Sequence, residues 1–208
     1  MKLGTRSLLF GVHHFLLHPL LVGYAWRRVY GRWPTCRQAF CILVHDIGYF
    51  GCEEMDGPEG SQHPEFGARV AGHFLGDAGR HMVLFHSRVM AKQYGQEISA
   101  LCLPDKLSLF LYPAWLYTSL GRLSGELREY QQACGLQNEI PAAVIYHLRI
   151  RAFRWAVETT VDLEVRARIE AVFAASYTRS QLCVEETSPQ LGQRLRYELL
   201  PSAAPRKT

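Results

Sequence analysis

Phe40, Ile42, Leu43 and Val44 run directly into the dipeptide His45-Asp46. The apolar spacing predicts a helix that starts at Pro34-Thr35 and ends at this pair. That end lies near the core, where an imidazole and a carboxylate are costly unless they are paired or coordinate a metal. Neutral imidazole is a good ligand for iron, manganese and zinc, and a carboxylate can bridge two such ions. Adjacent residues on a helix point about 100° apart. The two side chains can therefore approach one ion only if other helices surround them, and the dipeptide demands a multi-helix fold.

The rest of the chain reads as helix. A segment over 18–30 carries Pro19 in its first turn and stops at Gly31; others are expected from His63-Pro64 to about Leu75, from Arg80 to Tyr94, and from Ser99 onward through Asp105. Three more are expected over 114–133, 141–158 and 161–177, with Gly121, Gly125 and Pro141 as weak points. Residues 51–61, rich in Gly, Pro and acid, read as a loop. β-Branched residues are scattered and never alternate, so the expected class is all-α. With 208 residues the chain suits one domain: a metal-binding helical core over 1–133, C-terminal helices packed on it over 134–186, and a flexible tail over 187–208.

The histidines and aspartates are spread one per helical segment. His18 precedes His45-Asp46, and His63, His86 and Asp105 follow, each gap accommodating about one helix and one turn. Helices packed side by side can bring one ligand each to a common point, as bundles with di-iron carboxylate sites do. Each histidine alone is an ordinary polar residue more often than a ligand; the ordered set is the specific signal. His14 competes with His18 and His73 with His63, and His81 sits about 140° round a helix from His86. His13, His14, His73, His81 and His147 are read as non-ligands.

The ordered set resembles the HD-domain superfamily of metal-dependent phosphohydrolases. The resembling stretches are HPLLVGYAW (His18 to Trp26), LVHDIGYFG (Leu43 to Gly51), HPEFGARV (His63 to Val70), LFHSR (Leu84 to Arg88) and PDKL (Pro104 to Leu107), so the likeness covers about residues 14–115. HPEFGA is similar to the H-P-x-x-G-A segment of members with a two-metal centre and sets His63 apart from His73, while Val22, four residues after His18 as in the family segment, sets His18 apart from His14. The resemblance implies an HD-domain-like bundle, with His18, His45, Asp46 and Asp105 at one metal and His63 and His86 completing a second that Asp46 bridges. It implies divalent cofactors, two ions of iron, manganese or another transition metal, with magnesium or zinc as further options. Two departures stand out. Tyr49 occupies the place, three after Asp46, where many hydrolytic members have Lys. Ser87 follows His86 and no G-Y-P segment appears, unlike the members that cleave cyclic di-GMP.

The implied activity is hydrolysis of a nucleotide or other small phosphate ester, with Asp46 as the central catalytic group holding a metal-activated water. Arg88 and Lys92 are four apart on one expected helix face and Lys106 follows Asp105, so these three are the candidate substrate-binding cations, against the alternative of a solvated basic face. The cluster Arg149, Arg151 and Arg154 reads as a solvent-facing stripe, and the acidic loop Glu53, Glu54, Asp56 and Glu59 as solvated. Two other readings share the ligand set: a di-iron oxygenase of the same superfamily and a non-catalytic nucleotide-binding protein.

Net charge is +4, too modest for a stable nucleic-acid complex. Of the six cysteines none forms a C-x-x-C pair, and several lie in apolar stretches, which fits free thiols in a reducing compartment. Lys2 and Arg6 before the apolar run Leu8 to Trp26 imitate a signal peptide. His13, His14, His18 and Pro19 break that run, so a cytoplasmic protein with no membrane span is expected. A homo-oligomer is compatible with the sequence.

Overall fold

The computed structural model describes the backbone of residues 1–187 and the side chains of residues 1–175. The tail expected over 187–208 lies, from residue 188 on, outside the described residues. The described part is all-α. Its helices are α1 (Leu3–Phe10), α2 (Leu17–Tyr30), α3 (Cys36–Val44), α4 (Pro64–Leu75), α5 (Asp77–Leu84), α6 (Arg88–Gln93), α7 (Cys102–Ser108), α8 (Ala114–Ser124), α9 (Glu126–Ala133), α10 (Pro141–Thr159) and α11 (Leu163–Thr187). Single 3-10 turns at Ile47–Tyr49 and Gly60–Gln62 bracket the loop between α3 and α4.

Local chemistry explains the boundaries. Gly31 ends α2 in the left-handed region at φ 70°, which a side chain disfavours. Thr35 and Gln38 form a reciprocal capping box that starts α3. Two expected helices are each divided. The segment 114–133 breaks at Gly125, whose φ of 97° lets the chain turn between α8 and α9. The segment expected from Arg80 to Tyr94 begins earlier, at Asp77, and breaks at residues 85–87, where Ser87 caps α6 by accepting from the Met90 amide. Leu3–Phe10, of which only the end from Leu8 on falls in the apolar run read from the sequence, is a helix of its own.

Two apolar clusters flank the centre of the molecule. Cys41, Val44, Ala71, Val83, Phe85 and Met90 knit α3 to α4, α5 and α6. Val29, Leu107, Phe110, Ala156, Ile169 and Val172 join α2 and α7 to α10 and α11. Between them Trp26, 1% exposed, packs with Val22, Ile42 and Leu101. Burial of one such side chain contributes about 1.5–3 kcal/mol. The helices that these clusters join include the ones at or near whose ends the six His and Asp residues of the ordered set lie. Of the cysteines with described side chains, Cys41, Cys52 and Cys102 are buried free thiols. No helix among the described residues is long and apolar enough to cross a membrane.

Candidate metal centre

All six residues of the ordered set are buried and converge. His18 comes from the first turn of α2 and Asp105 from α7, while His45 and Asp46 follow the last residue of α3. His63 precedes Pro64 at the start of α4, and His86 stands in the break between α5 and α6. Every ligand thus lies at or near a helix end, which has a physical reason. His45 donates Nδ1–H to the Ile42 carbonyl (2.6 Å) and His86 to the Val83 carbonyl (2.5 Å), both in the last turn of a terminating helix, where carbonyls are open to side-chain donors; the Val83 carbonyl also accepts the His86 amide at 3.4 Å. His63 does the same with the Gly60 carbonyl of the 3-10 turn (2.7 Å). Each ring therefore uses the acceptor three residues back, and because a carbonyl can only accept, Nδ1 carries the proton. In the neutral rings the Nε2 lone pairs are left to point inward, the arrangement that orients metal-bound histidine.

The two oxygens of Asp46 face different partners. Oδ2 lies 3.2 Å from Nε2 of both His18 and His45, while Oδ1 lies 3.4 Å from His63 Nε2 and 3.6 Å from His86 Nε2. Asp105 Oδ1 completes the first group at 3.1 Å from His18 Nε2 and 3.5 Å from His45 Nε2. Its other oxygen pairs with Lys106 Nζ at 2.8 Å. The cluster thus divides into His18, His45, Asp46 and Asp105 on one side and Asp46, His63 and His86 on the other. Each group could hold a metal ion.

Three features favour an ion over internal pairing. His45 Nε2 and Asp46 Oδ2 are fully buried, yet neither makes a hydrogen bond of good geometry. Buried orphans of this kind cost about 1–3 kcal/mol each, more when charged. His63 and His86 bring Nε2 to Nε2 at 3.2 Å with both Nδ1 atoms already committed as donors. Burial first, and then the neighbouring His86, pushes the His63 pKa down to about 4, so that ring is neutral and its lone pair faces the other ring. For His45, burial is outweighed by the carboxylates of Asp46 and Asp105, which raise its pKa to about 10. For Asp46, burial is outweighed by the imidazoles of His45, His18 and His63, His45 foremost, so that its carboxyl is held well below the ordinary range. Two anionic carboxylates are therefore fixed in a dry site, an arrangement that could hold a metal ion.

Close backbone packing brings the pieces together. A β-carbon at Gly48 would collide with the His63 carbonyl oxygen, and one at Gly67 with the Val44 carbonyl oxygen. These two glycines let the turn after α3 and the first turns of α4 touch. Tyr49 stacks on His63 with ring centroids 3.9 Å apart.

A cavity of about 480 Å³ opens beside the centre, with His18 and Asp105 among its lining residues. Arg88 and Lys106 also line it; Lys92 is exposed on α6 and is not among the lining residues. His14 accepts from the Leu16 and Leu17 amides at the start of α2, and His73 and His81 are exposed. The expected solvent-facing stripe on α10 needs correction. Arg149 is buried and donates to the Tyr112 carbonyl at 2.6 Å, because the chain ending near Pro113 presents carbonyls with no helical partner; Arg151 stands at the cavity and Arg154 is exposed. Asp56, of the acidic loop, also lines the cavity.

A second buried polar cluster escaped the sequence reading. Glu126, wholly buried at the start of α9, accepts from Ser7 Oγ and His13 Nδ1 on Oε1 (2.6 Å each) and from the Val12 amide (2.8 Å) and Ser124 Oγ (2.6 Å) on Oε2. Its partners are up to 119 residues away, so no local pattern marks it. It holds the His13 ring 5.2 Å from the rings of His18 and Tyr49. No family model, curated protein or solved structure matches the chain.

Proposed function

We propose that this protein is a metal-dependent phosphohydrolase of the HD type that cleaves a small organic phosphate. The observation that carries the reading is Asp46, whose two oxygens face two separate sets of histidines in a dry site. His18, His45, Asp46 and Asp105 would hold one ion, and Asp46, His63 and His86 the other. Bound there, divalent ions supply Lewis acidity, lowering the pKa of a water and offsetting charge on phosphoryl oxygens.

The chain's own groups do the rest. Asp46 ties both halves of the site to the rigid end of α3. Lys106 pairs with the outer oxygen of Asp105, turning the inner one toward the histidines, and its Nζ also lines the cavity wall where a phosphoryl group would lie. The reaction adds water across the ester: the P–O bond to the alcohol breaks, a P–O bond to water oxygen forms, and the alcohol leaves with a proton. The cations lining the cavity favour hydrolysis of an anionic ester over the oxygenase alternative. The test is metal analysis of anaerobically purified protein joined to a screen of phosphate esters. The expected result is two transition-metal ions per chain and phosphate release that needs no dioxygen. A protein without bound metal, or turnover that consumes dioxygen, would overturn the reading.

A further inference from the structure

The cavity beside the metal centre is larger than a phosphoryl group needs. At about 480 Å³ it lies within the range of roughly 300–1,000 Å³ common to small-molecule sites. Its lining is divided. His18, Asp105 and Lys106 form one part, and Tyr49, Tyr117 and Tyr130 contribute another. No hydrogen bond to the hydroxyls of these three tyrosines is found among the described residues. Burial, reinforced by the nearby Glu126 carboxylate, raises the pKa of Tyr117 and Tyr130 well above the ordinary value, so both hydroxyls keep their protons and remain donors. Such a wall suits a ring-shaped body that carries acceptors.

The third part comes from outside the stretch that resembles the HD domain. Arg151 and Trp155 are four apart on α10 and so share one face, and both line the cavity. Arg88, at the start of α6, lies over the Trp155 ring with its guanidinium carbon 4.8 Å from the centroid. Stacking fixes the plane of the guanidinium and leaves its edge N–H groups available. Arg151 donates to the sulfur of Cys134 at 3.6 Å. Neither arginine is in an ion pair among the described residues, although Asp56 also lines the cavity. Two exposed guanidiniums outside any close ion pair, Arg151 feeling Asp56 only at longer range, stand on rigid helices beside a tyrosine wall and form a recognition surface for an anion.

We infer that Arg88 and Arg151 bind a second anionic group of the substrate, apart from the phosphoryl group at the metals, so that the substrate class is a ring-bearing organic phosphate with two anionic groups. This rests on the phosphohydrolase reading for the placement of the first group. Arginine forks match phosphate and carboxylate geometry, which gives the second group its specificity.

The experiment titrates adenosine 3′,5′-bisphosphate and adenosine monophosphate into metal-loaded wild-type protein and into R88A, R151A and R88A/R151A proteins, and follows phosphate release from both compounds. Wild type is expected to bind the bisphosphate at least about tenfold more tightly, a preference that the double variant loses. Arg154→Ala, on the same helix but away from the cavity, should keep it. Equal affinities in wild type, no binding of either compound, or a preference that survives in the double variant would overturn the inference. If the preference is seen and depends on the two arginines, but no phosphate is released from any ester, the subsite stands and the hydrolase reading fails. Release from simple monoesters without such a preference gives the opposite result.

Discussion

Two buried polar clusters lie side by side, and they solve the same problem in different ways. Glu126 has both oxygens filled by donors from four residues of the chain: Ser7, Val12, His13 and Ser124. The Asp46 cluster, reached through the His13–His18 ring contact, leaves His45 Nε2 and Asp46 Oδ2 without hydrogen bonds and sets two neutral-side nitrogens face to face. A carboxylate satisfied by N–H and O–H donors is structural. One that leaves buried atoms of its own cluster without hydrogen bonds is arranged so that it could hold a cation. The contrast separates scaffold from site without appeal to any relative.

The largest effect expected is at Asp46. Asp46→Ala should remove the bond between the two halves of the site, abolish metal binding in at least one of them, and lower phosphate release by several orders of magnitude while circular dichroism still reports helix. A folded variant with wild-type metal content and turnover would reduce Asp46 to a structural group like Glu126. Glu126→Ala should behave oppositely. It leaves His13 and three further donors buried without their acceptor and should cost about 3–5 kcal/mol in denaturant unfolding. The folded fraction should still take up metal.

Removing metal sharpens the comparison. A chelator should lower the unfolding midpoint of wild type, because ions that bind only the folded chain stabilise it by about 2.7 kcal/mol at a hundred times their Kd. Glu126→Ala should show the same chelator-dependent drop and Asp46→Ala a reduced one. If wild type does not respond, its His/Asp cluster is self-sufficient and the contrast fails.

The smallest effect is in the acid limb. For Glu126, burial is outweighed by His13 and the two serine hydroxyls, so its carboxyl titrates below its ordinary value of 4.5. Its contribution is therefore fully present above that value and is lost as the pH falls through the lowered folded value. The stability gap between wild type and Glu126→Gln, measured on chelated protein, should be about 1.5–3 kcal/mol near neutral pH and shrink in acid. A gap that is flat with pH would mean that the carboxylate charge contributes nothing.

The helical class was legible from the period of the apolar residues, and the ordered His and Asp set from its spacing along the chain. Both are one-dimensional signals. The first is imposed by 3.6 residues per turn, and the second by the need for each packed helix to deliver a ligand. Gly125 is legible as a weak point but not as the boundary between two helices, and the break at residues 85–87 is not legible at all, because a run of helix-compatible residues does not record where tertiary packing interrupts it. His86 shows why this matters: it reaches the centre from the break itself, where the Val83 carbonyl orients its ring.

What only the tertiary structure decided is which polar residues meet. Arg149 looked like part of a surface stripe and instead binds the carbonyls near Pro113, while Lys92 looked like a partner of Arg88 and stands away from the cavity. Ser7 and Glu126 join across most of the folded chain, and Trp155 comes from far along the sequence to carry Arg88. Sequence by itself determined the helices and the residues able to bind metal, since periodicity and side-chain chemistry are local properties. The division of Asp46 between two sets of histidines, and the placing of arginines beside them, depend on long-range packing that no local pattern encodes.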